Sequence, residues 1–170
     1  KMSIAENLAL ANRRGVRRGL RRGIKGGKER EFFRRSLKGL GLGLEERMGT
    51  EAGLLSGGQR QALTLLMAVL KQPKLLLLDE HTAALDPRTA VQVLELTDRM
   101  IKDNGLTALM VTHNMHDAIK YGDRLIMMHA GAIALDIAGE EKRRLTVEYL
   151  LQRFTQASGA EFSQDRALLA

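Results

Sequence analysis

The stretch LLSGGQRQALTLLMAVLKQPKLLLLDE, residues 54 to 80, decides which fold the sequence predicts. Two adjacent glycines follow Ser56 and lead directly into an apolar segment. This pattern is typical of a helix N-terminus whose free backbone N–H groups, with a hydroxyl beside them, can bind an anion. We expect the helix to run to about Lys71, because Pro73 disfavours helical backbone at the residue that precedes it.

A strand and a second helix are predicted to follow. The continuous apolar run over residues 75–78 closes on Asp79 and Glu80, which suits a strand that is buried on both faces. Asp86 precedes a proline, and this pair is a strong signal for a helix that starts with an aspartate cap. That helix is expected over residues 88–105.

The rest of the sequence continues to alternate between helices and strands. Ser3 and Glu6 have the spacing of a capping box, which predicts a helix start. The other expected elements are a helix over 32–40, a buried strand over 106–111, a short helix over 114–121, a hairpin of strands 124–129 and 132–137, and a last helix over 146–155, before a loose tail. This alternation predicts an α/β architecture with a largely parallel sheet.

The composition is that of an ordinary globular domain. The 170 residues are 44% hydrophobic and 28% charged, and the chain contains no cysteine. A disulfide framework and a thiolate metal site are therefore excluded. No apolar run approaches the ~20 residues that span a bilayer. Because the sequence starts with Lys1 and not with methionine, we expect it to be part of a longer protein.

The excess positive charge lies in one segment. Residues 13–35 contain 11 Lys/Arg and 2 Asp/Glu, while the whole chain has a net charge of +7. Within this segment Arg-Arg-Gly-apolar repeats every four residues, and each glycine costs a helix about 1 kcal/mol, so a frayed helix or a loop is expected. A nucleic-acid-binding tract is one interpretation. A solvated or membrane-proximal basic face is favoured, because no aromatic residue occurs before Phe32.

Four short motifs occur in a fixed order: LSGGQ at 55–59, LLLLDE at 75–80, AALD at 83–86, and His113 after a strand. Each has an ordinary structural explanation. A glycine pair also suits a close helix–strand approach, and carboxylates at a strand end are often simply solvated. Together and in this order, however, the motifs are hard to obtain by chance.

With these motifs the sequence resembles the ATP-binding-cassette (ABC) ATPases, from about Ser3 to Phe154. In that family LSGGQ is the signature motif, the apolar run ending in Asp-Glu is the Walker B strand, AALD is the D-loop, and the later histidine is the switch histidine. The resemblance implies an α/β fold. It would be an incomplete RecA-like ABC ATPase core, with a mostly parallel sheet and an inserted α-helical subdomain.

The resemblance also implies roles for the motif residues. Asp79 would hold Mg²⁺ through water, Glu80 would polarise the attacking water, and His113 would touch the γ-phosphate. The residues that would bind an ATP held by a second protomer are Ser56, Gly57, Gly58 and Gln59, with Asp86 on the dimer seam. These roles suit phosphoryl transfer, which needs positioning and neutralisation of spreading negative charge.

The phosphate-binding loop G-x-x-x-x-G-K-[ST] is missing from the sequence. The nearest candidate, at 23–28, is one residue short, lacks the final Ser or Thr, and does not follow a strand. LSGGQ is thus interpreted as the trans-acting half of an ATP site whose cis-acting half lies upstream of Lys1. The 170 residues alone are expected to be inactive. His81 also departs from the family pattern, which usually has proline there.

The resemblance further implies partners and a location. The protein is expected to be an importer-type ATPase that forms a head-to-tail dimer, docks on separate transmembrane permease subunits at the cytoplasmic face of the membrane, and does not bind nucleic acid. The expected division is a helical subdomain over 1–72, a core part over 73–157 and a tail over 158–170. An SMC-type ATPase lobe is the alternative, but it should follow a long heptad coiled coil that residues 1–54 lack.

Overall fold

The computed structural model describes residues 2–15 and 26–158. The predictions for the middle of the Arg-Arg-Gly tract and for the C-terminal tail fall outside these residues. In chain order the described α-helices and strands are α1 (Ile4–Asn12), α2 (Gly26–Lys38), α3 (Gly57–Val69), β1 (Leu76–Asp79), α4 (Pro87–Asp103), β2 (Ala108–Val111), α5 (Met115–Lys120), β3 (Arg124–His129), β4 (Ala132–Ala138), α6 (Gly139–Arg143) and α7 (Val147–Ser158); two short 3₁₀ helices, Leu44–Glu46 and Ala52–Leu54, lie between α2 and α3.

The chain divides into two compact units, residues 1–109 and residues 110–170. The boundary lies inside β2. It does not coincide with the expected boundary at residue 72. That expectation concerns subdomains of a family fold, and it stays a prediction.

The first unit is built on helices that bury one apolar face each. α1 begins with the predicted capping box, in which the Ser3 side chain accepts from the Glu6 N–H and the Glu6 carboxylate accepts from the Ser3 N–H. α1 packs against α2 and α3, and α3 packs against α4. The fully buried side chains at the centre include Ile4, Leu8, Phe33 and Leu37.

Several helix boundaries differ from the prediction. α2 begins at Gly26, before the expected start at Phe32. Lys28 to Glu31 are good helix formers, and Glu29 in the first turn interacts favourably with the helix dipole, so the last part of the basic tract is helical. α3 ends at Val69, slightly before Lys71. α4 begins with the predicted aspartate cap and ends at Asp103, two residues before the expected end.

β1 and β2 form a two-stranded parallel sheet connected by α4. The Leu76 N–H donates to the Thr107 carbonyl oxygen at 2.9 Å. Leu76 and Leu78 are buried, but Leu77 is 66% exposed and Leu109 is 51% exposed. The prediction that the first strand is buried on both faces is therefore wrong, and so is the prediction that the second strand is buried. An apolar run indicates that both faces of a strand need apolar neighbours. It does not indicate that the described residues supply those neighbours on both faces.

The second unit contains the predicted hairpin. β3 and β4 pair antiparallel, with Arg124 opposite Ala138 and His129 opposite Ala132. Ala130 and Gly131, at the turn, have φ values of 47° and 80°. A two-residue turn with positive φ at both positions matches the twist of the strands it joins. The hairpin packs with α5 and α7 around a core of Met115, Leu125, Leu135, Ile137, Leu145, Val147, Leu150 and Phe154.

α6 was not predicted. It carries Lys142, which is only 4% exposed, and burial lowers the pKa of this ammonium group. Its Nζ donates to the carbonyl oxygens of Ile119 at 2.6 Å and Tyr121 at 3.0 Å, so it satisfies acceptors at the end of α5. Among the helices that the structure describes, none is long and apolar enough to cross a bilayer.

Candidate functional site

The N-terminus of α3 holds the LSGGQ motif in an accessible position. Ser56 is the N-cap, and its Oγ accepts from the Gln59 N–H at 3.3 Å. In return the Gln59 Oε1 accepts from the Ser56 N–H, also at 3.3 Å. Ser56 and Gly57 are exposed. Because the first N–H groups of a helix have no intrahelical acceptor, this end can receive an anion.

The two glycines let α3 approach α4. A β-carbon added to Gly58 would lie 2.5 Å from Cγ2 of Thr89, which no real contact allows. A β-carbon on Gly57 would lie 3.0 Å from Cδ2 of Leu85, the flexible end of a side chain. Gly58 therefore has a packing function. Its backbone N–H still belongs to the first turn of α3, so the packing explanation and the anion-binding explanation are compatible.

Arg60 supports the loop that precedes the motif, and the sequence analysis missed it. Its Nη2 donates to the Leu55 carbonyl oxygen at 3.1 Å and to the Gly53 carbonyl oxygen at 3.3 Å. The side chain thus reaches back from the first turn of α3 to the turn before Ser56. An arginine one residue after LSGGQ gives no local signal for this role, because backbone acceptors have no sequence pattern.

β1 delivers two exposed carboxylates, Asp79 and Glu80, at its C-terminal end. Glu80 has a φ of 41°, in the left-handed region. For a residue with a β-carbon this conformation costs about 1–2 kcal/mol. The backbone there turns sharply, since the Ala83 N–H donates to the Glu80 carbonyl oxygen at 3.0 Å. Strained backbone of this kind is often found at functional positions.

Asp86 caps α4 from the end of the D-loop sequence. Its Oδ1 accepts from the Thr89 N–H at 3.1 Å. Hydrogen bonding by Thr89 lowers the pKa of the Asp86 carboxyl. Asp86 is therefore an anion at neutral pH with a defined orientation at a helix N-terminus, and its structural role as a cap is satisfied within the chain.

His113 lies in the second unit, between β2 and α5, and it is exposed. The next residue, Asn114, caps α5 by accepting from the Asp117 N–H at 3.1 Å. The Asn114 N–H donates to Thr112 Oγ1 at 3.1 Å. His113 is thus in a short loop with hydrogen bonds on both sides. The other candidate residues, Ser56 to Gln59, Asp79, Glu80 and Asp86, all belong to the first unit.

The described residues contain no group of three or more His, Cys, Asp or Glu side chains that could hold a metal ion alone. Two adjacent carboxylates at the end of β1 are nevertheless suited to Mg²⁺. This ion is usually held by one or two carboxylates together with waters and substrate phosphates. The donor set therefore fits a magnesium ion that arrives with a nucleotide.

Comparisons with known proteins identify the family of the chain. A family model described as ABC transporter matches residues 1–83. A tyrosine transport ATP-binding protein of Clostridioides difficile (strain R20291) is 46% identical over 156 residues, which are 92% of this chain and 61% of that protein. An aliphatic sulfonates import ATP-binding protein of Paraburkholderia xenovorans (strain LB400) is 44% identical over 95 residues, covering 56% of this chain and 28% of that protein.

Solved structures show the same fold. The ADP conformation of an ATP-binding cassette of an ABC transporter has a TM-score of 0.71 at 24% identity, covering 92% of this chain and 62% of that chain. A dimeric bacterial ABC transporter cassette has a TM-score of 0.61 at 28% identity, covering 81% of this chain and 56% of that chain. The fold of this chain matches that of part of an ATP-binding cassette of an ABC transporter.

The chain belongs to the family of ABC transporter ATP-binding proteins. It spans 61% of the length of the C. difficile relative and 28% of the P. xenovorans relative. The predicted α/β fold is confirmed. The SMC-type alternative is not supported by these comparisons.

Proposed function

We propose that the protein containing this chain binds and hydrolyses ATP as the ATPase subunit of an ABC transporter. One observation supports this most strongly. The capped and accessible N-terminus of α3 packs against α4, and the strand between these helices ends in two exposed carboxylates. Hydrogen-bond donors for phosphate and carboxylate ligands for Mg²⁺ thus occur in the same compact unit.

The N-terminus of α3 would bind the γ-phosphate of an ATP held by a second ATPase subunit. Ser56 offers a hydroxyl, Gly57 and Gly58 offer backbone N–H groups, and Gln59 keeps the cap in place. The helix dipole favours negative charge at this end. A head-to-tail dimer would bring the LSGGQ motif of each subunit to the nucleotide of the other, with Asp86 on the seam. The dimeric structure of a bacterial ABC transporter cassette supports dimerisation.

Asp79 would hold Mg²⁺ through water, and the bound ion would neutralise phosphate charge. Glu80 would accept a proton from, or orient, the attacking water, because its carboxylate follows directly at the end of β1. His113 would donate to the γ-phosphate from the loop before α5. We expect the 170 residues alone to be inactive, since they contain no phosphate-binding loop.

The membrane partners are proposed from the relatives. Relatives in this family are named for tyrosine transport and for import of aliphatic sulfonates. We infer an importer-type ATPase that docks at the cytoplasmic face of the membrane on separate permease subunits. The permease subunits, and not the ATPase, would contact the transported substrate.

Glu80→Gln tests this function in the full-length protein assembled with its partners. The variant removes the basic oxygen but keeps the size of the side chain, so Mg-ATP binding should persist. Loss of a general base typically lowers turnover by ~10²–10⁴. Glu46→Gln is a matched control, since Glu46 is an exposed carboxylate in the same unit. Turnover by Glu80→Gln equal to that of the control would refute the assignment.

A further inference from the structure

His81, which directly follows Glu80, connects the turn after β1 to the middle of α4. Its Nε2 lies 3.1 Å from Oγ1 of Thr97, sixteen residues further along the chain. Thr97 is 2% exposed, while His81 is half-buried. The histidine ring therefore reaches from an exposed turn to a buried hydroxyl on a long helix.

The direction of this hydrogen bond follows from the bond that Thr97 makes to its own helix. Thr97 Oγ1 donates to the Val93 carbonyl oxygen at 2.8 Å. A hydroxyl has a single hydrogen, so Thr97 Oγ1 can only accept from His81. Nε2 of His81 must therefore bear a hydrogen, as it does in the neutral Nε2–H tautomer and in the imidazolium ion.

The residue before His81 has the unusual backbone. Glu80 has a φ of 41°, a conformation that side-chain-bearing residues persist in only when their surroundings hold them there. Hydrogen bonds constrain this turn. The Glu80 carbonyl oxygen accepts from the Ala83 N–H at 3.0 Å, and the next side chain is bonded to α4 through Thr97.

We propose that His81 is a positioning residue for Glu80. The ring, bonded to Thr97, holds the turn in the conformation that directs the Glu80 carboxylate, and it thereby sets the rate of ATP hydrolysis. This inference rests on the function proposed above for Glu80. It explains how histidine serves at a position where the family usually has proline. The hydrogen bond from His81 to α4 would replace the backbone restriction that a proline ring imposes.

The test compares four variants of the full-length protein assembled with its partners: His81→Ala, His81→Gln, Thr97→Val, and the double variant His81→Ala/Thr97→Val. The readouts are kcat and KM for Mg-ATP, with thermal unfolding measured alongside. Loss of one hydrogen bond of ordinary strength should lower kcat roughly threefold to tenfold, with KM unchanged. Gln should restore kcat, because its amide nitrogen can donate from about the position of Nε2.

The double variant shows whether the two side chains act through their mutual bond. If they do, its kcat equals that of His81→Ala and is not the product of the two single losses. Wild-type kcat in His81→Ala or Thr97→Val, or failure of Gln to restore kcat, would overturn the proposal. If His81→Ala does not fold, Thr97→Val and His81→Gln decide by the same criteria.

Glu80→Gln, measured in parallel, separates this inference from the function on which it rests. If Glu80→Gln abolishes turnover while the His81 variants match wild type, only the positioning role is refuted. If Glu80→Gln itself turns over ATP normally, the role of Glu80 is wrong, and the positioning role fails with it.

Discussion

Replacing Gly58 with alanine should weaken the contact between α3 and α4. The new β-carbon would lie 2.5 Å from Cγ2 of Thr89, about 0.9 Å closer than the 3.4 Å at which ordinary contact begins. Overpacking of this kind costs typically ~1–3 kcal/mol. Alanine returns up to ~1 kcal/mol in helix propensity, and less near a helix end. We therefore expect a net loss of about 1–2 kcal/mol.

The measurement is denaturant and thermal unfolding of the full-length protein. A loss of 1 kcal/mol lowers Tm by roughly 2–4 °C in a protein of 150–250 residues. Adding Thr89→Ser should restore most of the stability, because serine lacks the Cγ2 methyl but keeps the backbone N–H that binds Asp86. Gly57→Ala is the matched control. Its β-carbon would meet only Cδ2 of Leu85 at 3.0 Å, at the end of a flexible side chain.

Two results would refute this reasoning. Gly58→Ala could prove as stable as wild type, or Thr89→Ser could fail to rescue it. ATP hydrolysis measured on the same samples separates packing from catalysis. Rescue of stability without rescue of turnover would indicate that the glycine also matters for phosphate binding.

Two further predictions concern the chain alone and its acid stability. The isolated 170 residues should show no Mg-ATP turnover. They should also unfold with low cooperativity, because Leu77 and Leu109 leave one face of the β1–β2 sheet uncovered. A cooperative monomeric melt with hydrolysis would contradict both expectations. Arg124 donates to both oxygens of Asp136, at 2.8 and 2.6 Å, and this hydrogen bonding lowers the Asp136 pKa below 3.8. The stabilisation is therefore present above pH 3.8 and lost as the pH falls through the lowered pKa. Asp136→Asn should reduce stability at neutral pH and leave it unchanged in strong acid, as urea unfolding at both pH values would show.

The elements with local signals were predictable from the sequence. Ser3 and Asp86 are caps with recognisable patterns, and both cap the helices that they predict. The hairpin was predictable because Ala130 and Gly131 separate two apolar segments. The helix expected after LSGG begins within the motif, at Gly57, because Ser56 and Gln59 form a capping box.

The features that sequence analysis missed depend on distant partners or lack a local signal. α6 has only five residues, and its N-cap, Ala138, makes no side-chain cap. Burial of Lys142 depends on carbonyl groups more than twenty residues earlier. The bond between His81 and Thr97 likewise joins two elements. The exposure of Leu77 was missed because an apolar run is the same whether or not the chain covers it.

The two sheets differ in the length of chain that must be organised before they can form. The β3–β4 hairpin needs only the two-residue turn at Ala130 and Gly131, and hairpins close in about 1–10 μs. The bond from Leu76 to Thr107 requires the whole of α4 to be folded back first. Closing longer loops costs more entropy, and non-local pairing is slower. We therefore expect the hairpin to form before the β1–β2 pairing, which aligns the Walker B strand.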